Sequence, residues 1–214
     1  MSPDMARRDR TTQADGDFVS DEQLIYRYTQ GQTSAFEELV GRYRRELYAF
    51  LARFLSDRVL AEDIFQETFM QVHLSAGGFD TSRRLKPWLF TIAANKARDA
   101  LRSRLRHPAA ELDAPIGSDD GQARRFIDLM PGNIPPPPVN VENRELSEAV
   151  QNIVRRMPEH LRTALVLCYF HEFPYKDIAD ILGVPLGTVK SRLHVAVKDF
   201  ARRWRAAHGR KQDT

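Results

Sequence analysis

The segment from Tyr175 to Leu193, YKDIADILGVPLGTVKSRL, constrains this chain more than any other. Ile178 and Leu182 lie four apart and share one face of a short helix. Gly183 can take a positive φ and stop that helix. Pro185 suits a helix start, where its missing N–H costs nothing. Val189, Leu193, Val197 and Phe200 then form an apolar stripe on a second, longer helix, and Thr188, Lys190, Ser191, Arg192 and Lys198 fall on the other side. Two helices joined by a glycine turn, the second polar and basic, are what a reader of the DNA major groove requires. A plain helical hairpin with a solvated basic face has the same pattern, so the motif alone leaves both open.

Upstream, helical periodicity recurs without strand-like alternation. Ser20 and Gln23 have capping-box spacing and open a short helix that ends near Gly31; Ser34 and Glu37 repeat the signal. The helix that follows, to about Leu55, carries Phe36, Leu39, Val40, Tyr43, Leu47, Phe50, Leu51 and Phe54 at helical spacing. Asp57 can cap a third helix with Val59, Ile64, Phe65, Phe69 and Val72, broken at Gly77-Gly78. Pro87 fits the first turn of a fourth, which runs to about Arg106. The 107–143 stretch, with Gly117 to Gly121 and the run Pro135 to Pro138, reads as a linker; within it Phe126 to Met130 is a short apolar patch that can dock or fold back. Helices resume near 144–156, 159–171, 175–182 and 186–205. The expected architecture is all-α, with two small helical domains joined by a flexible Pro-rich linker. Its boundaries are a disordered tail at 1–19, a first domain at 20–106, the linker at 107–143, a second domain at 144–206 and a basic tail at 207–214.

Charge is segregated. Residues 83–106 hold eight Lys/Arg and one acid, residues 186–214 hold eight and two acids, and residues 21–80 hold ten acids against six bases. Two basic patches apart from an acidic block imply two contacts with phosphate and a third surface for another partner. Cys168 is the single cysteine, so no intramolecular disulfide forms, and a buried thiol in a reducing compartment is the default. No apolar run approaches a membrane span and the basic N-terminus lacks a secretory core, so the expected location is cytoplasmic without membrane insertion.

No catalytic constellation stands out. There is no phosphate-binding glycine loop, the six histidines are scattered, and adjacent acids such as Glu62 and Asp63 read as a solvated helix face. The expectation is a non-enzyme without cofactor or metal. What is present suits an unpaired strand: Phe79, Arg83, Arg84 and Lys86, then Trp88, Phe90, Asn95, Lys96, Arg98, Asp99 and Arg102. Bases stack among aromatics while cations hold phosphates, and an Asn can read a base edge. Trp88 and Phe90 are two apart and cannot both face the core squarely; packing is the better reading for Phe90, while Trp88 is open between core and strand.

On these residues the chain resembles a sigma-70-family sigma factor of the extracytoplasmic-function (ECF) group. The resemblance rests on Ala61 to Phe69 (AEDIFQETF), Phe79-Asp80, Pro87 to Asn95 (PWLFTIAAN) with Asp99 and Arg102, Met157-Pro158-Glu159, Tyr175 to Ala179 and Gly187 to Leu193. It spans roughly 21–106 and 144–205. It implies that the first domain (region 2) docks core RNA polymerase, its β′ and β subunits, through Asp63, Gln66 and Glu67. The same domain would open the minus-10 element with Phe79, Lys86, Trp88, Asn95, Lys96, Arg98, Asp99 and Arg102. The second domain (region 4) would read the minus-35 element with Thr188, Lys190, Ser191, Arg192 and Lys198. Promoter DNA is thus a partner, and an anti-sigma factor a further one that resemblance alone suggests. The rival readings are a standalone helix-turn-helix regulator and a decoy that binds polymerase without supporting transcripts.

Overall fold

The computed structural model describes residues 19–106 and 144–208, and every regular element among them is helical. In chain order these are α1 (Asp21–Thr29), α2 (Thr33–Leu55), α3 (Arg58–Ser75), a 3-10 turn (Ala76–Gly78), α4 (Leu85–Arg106), α5 (Arg144–Arg155), α6 (Glu159–Tyr169), α7 (Tyr175–Leu182) and α8 (Leu186–His208). The expected N-terminal tail, the linker with its Phe126 to Met130 patch, and residues 209–214 lie outside the described residues.

Local chemistry sets the helix ends. Ser20 Oγ accepts from the Gln23 amide at 3.2 Å while Gln23 Oε1 accepts from the Ser20 amide at 3.1 Å, so the expected capping box closes α1. Asp57 caps α3 by accepting from the Val59 and Leu60 amides. The second expected box does not form: α2 starts at Thr33, one residue earlier, with Gln32 as its N-cap and no side-chain cap, which places Ser34 inside the first turn. At the other end of α2, Ser56 sits in the left-handed region at φ 58° and closes the helix through the Ala52 carbonyl.

α2 is the spine of the first half. Phe36, Leu39, Val40, Tyr43, Leu47, Phe50, Leu51 and Phe54 are all buried, and α1, α3 and α4 pack around them. Fully burying one such side chain contributes about 1.5–3 kcal/mol, and α2 meets α3 and α4 through ring contacts, Phe36 edge-to-face on Phe69 and Phe50 tilted on Phe90. In the second half α6, α7 and α8 pack around Val166, Leu167, Ile178, Ile181, Val189 and Leu193. Two stripe residues differ from expectation. Val59, at the outer start of α3, is 73% exposed, and Val197 is 43% exposed because Ala196, three residues after Leu193, takes the buried position.

The two domains pack on each other. α4 packs on α7, and α2 on α5 and α6, so that the buried residues of both halves form one continuous cluster.

Asp57 accepts two backbone amides and pairs with Arg104 at 2.9 Å; the Arg104 hydrogen bond, with help from the two amides, holds its carboxyl below the ordinary value of 3.8. A depressed folded pKa means the stabilisation is complete above the unfolded value and is lost as pH falls through the folded one. Asp57→Ala should therefore cost about 1 kcal/mol in urea unfolding at neutral pH. The gap from wild type should narrow in acid below the ordinary Asp value, as the charge-dependent part of the cap is lost; a gap that did not change with pH would contradict that account.

Candidate polymerase and nucleic-acid interfaces

α3 buries Ala61, Ile64, Phe65, Thr68, Phe69 and Val72, which leaves Glu62, Asp63, Gln66 and Glu67 exposed together on the outer side. The buried Thr68 hydroxyl donates to the Ile64 carbonyl at 2.6 Å, so the one polar residue on the inner side is satisfied. Asp63, Gln66 and Glu67 are thus brought together as an outward acidic face with no local hydrophobic role. Glu67 pairs with Lys96 of α4 at 3.5 Å, where the two surfaces meet.

On α4, Trp88, Asn95, Asp99 and Arg102 recur at spacings of seven, four and three and share one side of the helix. Phe90, Leu89, Ala93, Ala94 and Ala97 fill the opposite, buried side, so Phe90 is core. Trp88 is half-buried and lies on Phe79, ring centroids 4.6 Å apart, which makes a two-ring platform at the head of this face. Lys96 flanks the face toward α3. Lys86 and Arg98 are drawn away from it. Lys86 pairs with Glu46 at 2.7 Å, over the rings of Phe173 and Phe90, and Arg98 donates to the Ile181 carbonyl of α7 at 3.2 Å. The 80–84 loop beside Trp88 is organised by Asp80, which accepts from the Ser82 amide and hydroxyl. A cavity of about 620 Å³ opens between this loop (Thr81 to Arg84) and α1 (Ser20, Glu22, Gln23, Tyr26).

Three residues that anchor this surface carry no sequence signal. Glu22 of α1 accepts from the Leu85 amide at 2.8 Å and so fixes the first turn of α4 from 63 residues away. Glu46 holds Lys86 and also accepts from His171 Nδ1 at 3.3 Å; an ionised carboxylate only accepts, so that ring nitrogen carries the proton. Burial works to raise the Glu46 carboxyl, but the hydrogen bonds from His171 and Lys86 outweigh it and hold it below the ordinary range. Asp177 of α7 binds Arg84.

In the second half α7 ends at Gly183, φ 63°, with the Gly183 amide donating to Asp180 O and the Val184 amide to Ala179 O, a left-handed stop of the expected kind. The Pro185 carbonyl takes the Thr188 and Val189 amides and starts α8. Burial of Val189, Leu193 and Ala196 turns Ser191 and Lys198 squarely outward. Thr188 and Arg192 are half-buried on one flank and Lys190 is exposed on the other. His194 and Val195 fall on the same outward surface, and their types alone do not mark them for it.

A sequence profile of sigma-70 region 2 matches residues 39–107, and one of sigma-70 region 4 matches residues 147–200. The ECF RNA polymerase sigma factor SigW of Bacillus subtilis is 32% identical over 170 residues, 79% of this chain and 89% of that protein. The chain belongs to the sigma-70 family, in its ECF group. The RNA polymerase sigma-H factor of Pseudomonas aeruginosa is likewise 32% identical, over 81% of this chain and 88% of its own. Among solved structures, the sigma factor RpoE of Bartonella quintana in complex with the anti-sigma factor NepR superposes with a TM-score of 0.59, covering 79% of this chain and 96% of that one. At 24% identity that likeness is one of fold. The two profile matches coincide with the two halves that α2 and α6 to α8 organise, and the chain is an RNA polymerase sigma factor for transcription initiation.

The Phe79–Trp88 platform yields a direct readout. Trp88 and Trp204 are the two tryptophans of the chain. In a Trp204→Phe background, a single-stranded promoter oligonucleotide added to the core-bound protein should quench Trp88 emission. Trp88→Ala should weaken that complex by about 1–3 kcal/mol, the worth of one stacked base. Unchanged emission at saturation would remove Trp88 from the strand interface.

Proposed function

We propose that this sigma factor grips core polymerase through the acidic face of α3 (Asp63, Gln66, Glu67). It holds the opened minus-10 strand on α4 and the adjoining loop through Phe79, Lys86, Trp88, Asn95, Lys96, Arg98, Asp99 and Arg102. It reads the minus-35 element through Thr188, Lys190, Ser191, Arg192 and Lys198 of α8. The observation that carries this reading is adjacency: the acidic face and the strand face lie on two helices packed against each other, so polymerase docking would orient the strand platform without a flexible joint. One-sign charge on α3 favours a basic partner surface and speeds encounter with it. On α4 the aromatic pair supplies stacking, Asn95 a bidentate base contact, and the cations phosphate contacts. On α8 the outward Ser191, Val195 and Lys198 can meet base edges, a thymine methyl and phosphate.

The work done is binding and melting, with no chemical step and no cofactor, which makes the protein a non-enzymatic initiation factor. No helix among the described residues is long and apolar enough to cross a membrane, in keeping with action beside polymerase in the cytoplasm. An anti-sigma factor is a fitting further partner, since a sigma factor of the same fold is held by one.

The deciding experiment is run-off transcription with purified core polymerase on fragmented genomic DNA, with the RNA 5′ ends sequenced. The expected result is discrete starts that share two upstream elements and depend on this protein. Core binding without starts would leave a decoy, and no core binding would leave a standalone DNA binder. Charge reversal by Asp63→Lys with Glu67→Lys should weaken core binding more than about 100-fold, as expected when desolvated charge pairs across an interface are broken, while helix content stays intact. Arg192→Ala should cost about 1–3 kcal/mol on duplex minus-35 DNA and leave core affinity unchanged.

A further inference from the structure

We propose that a small cavity between the end of α2, α5 and the end of α6 binds a phosphate-sized oxyanion, inorganic phosphate or the phosphoryl group of a monoester, through Arg53, Arg155 and Arg162. The cavity holds about 50 Å³. Arg53 and the cap residue Ser56 line it from α2, Arg155 lines it from α5, and Phe170, just after α6, completes the wall. Arg162 of α6 stands behind that wall. Its Nη1 donates to the Arg155 carbonyl at 2.9 Å and to Ser56 Oγ at 3.3 Å, and so ties two lining residues together. Three guanidinium groups thus converge on one small space, and none of them belongs to the polymerase, strand or minus-35 sets.

The charge there is not balanced. Among the described residues no ion pair joins Arg53, Arg155 or Arg162 to a carboxylate. Glu159 is the acid whose charge reaches Arg162, and it does not pair with it. Burial is the main influence on Arg53 and Arg162 and pulls both guanidinium groups below their ordinary pKa, as an uncompensated buried charge requires. Arg162 is only 8% exposed, and the Nε atoms of Arg162 and Arg53 are buried without a hydrogen-bond partner. Helix-end carbonyls account for part of the donor set, Arg53 Nη1 on Ala49 O at 3.2 Å and Arg162 Nη1 on Arg155 O. Each guanidinium has five N–H donors, so most remain to be met. Arg53 also lies over the Phe170 ring at 4.7 Å, which takes one face of the group and leaves its edge, where the donors are. Ser56 sits at a φ of 58°, a conformation that favours glycine, yet it supplies a hydroxyl that accepts from Arg162 and keeps its own proton to donate.

Size and charge select the ligand. A water occupies about 30 Å³ of the liquid, so the cavity takes one tetrahedral oxyanion and excludes a sugar or a base. Chloride or a carboxylate offsets one of three positive charges. A phosphate dianion offsets two, and its oxygens accept from several guanidinium edges and a hydroxyl at once. Phe170 is 37% exposed, so the organic part of a monoester can lie outside along its ring.

The test is equilibrium dialysis of the full chain against radiolabelled inorganic phosphate at fixed ionic strength and about pH 8, where a phosphate is a dianion. The expected result is one saturable site per chain. Arg53→Gln and Arg155→Gln should each weaken it by about tenfold or more, the loss expected for one charge-assisted hydrogen bond. Arg155 is exposed, so its variant tests the site without disturbing the core. Arg156→Gln changes the next residue, which is also exposed but does not line the cavity, and should leave the affinity unchanged. Unlabelled adenosine monophosphate should displace the label. Displacement equal to that by unlabelled phosphate assigns the site to the free anion, and stronger displacement assigns it to a monoester. No saturable binding, with helix content intact, would overturn the proposal. So would displacement by chloride or acetate as effective as by phosphate, or an Arg156→Gln loss as large as that of Arg155→Gln, since either describes a basic surface rather than a site. Displacement by a single-stranded DNA 12-mer but not by adenosine monophosphate would overturn it as well, by making the cavity a contact for nucleic-acid backbone.

Discussion

The packing of Phe90 governs most of what this molecule does. Its ring is fully buried between Phe50 of α2 and Phe173 of the turn before α7, and His171 and Lys86 lie against it. That single side chain ties α4 to the α2 spine and also gives region 4 something apolar to dock on. Because α4 is pinned from below by Phe90, Leu89, Ala93, Ala94 and Ala97, its other side is free to carry Trp88, Asn95, Asp99 and Arg102 in fixed order. A two-ring platform held to rigid helices presents stacking and hydrogen-bonding groups to any ligand without an ordering cost at the moment of binding.

Much of the architecture is legible in the residues, for identifiable reasons. α2 shows its helical spacing so fully because it meets five other helices, so nearly every apolar position is a core position. Ser20, Asp57 and Gly183 mark their helix ends because each satisfies backbone groups within its own turn, and local bonds leave local signals. The departures are local as well. Ser34 carries the right spacing for a cap, but the chain enters α2 one residue sooner. Val197 fits the apolar stripe by spacing, yet Ala196, smaller and less conspicuous, fills the position.

The candidate surfaces divide in the same way. Asp63, Gln66 and Glu67 can be grouped from spacing because they share one helix, and so can Trp88, Asn95, Asp99 and Arg102. Lys86 and Arg98 have the same composition signal as their neighbours but meet partners on α2 and α7. Glu22, Glu46 and Asp177 cannot be assigned from sequence at all, since each acts across 40 to 93 residues on a group whose own helix gives no hint of the pairing. The packing of the two domains on each other is equally silent in the sequence, because nothing in a helix's periodicity distinguishes a face that meets solvent from one that meets another domain.

That last ambiguity is itself physical. The ion pair across this seam, Arg84 to Asp177, is 66% exposed on its cationic side and worth little, because water screens it and it must immobilise a long side chain. The seam rests instead on the Phe90–Phe173–His171 cluster and on the continuous buried core that joins the halves.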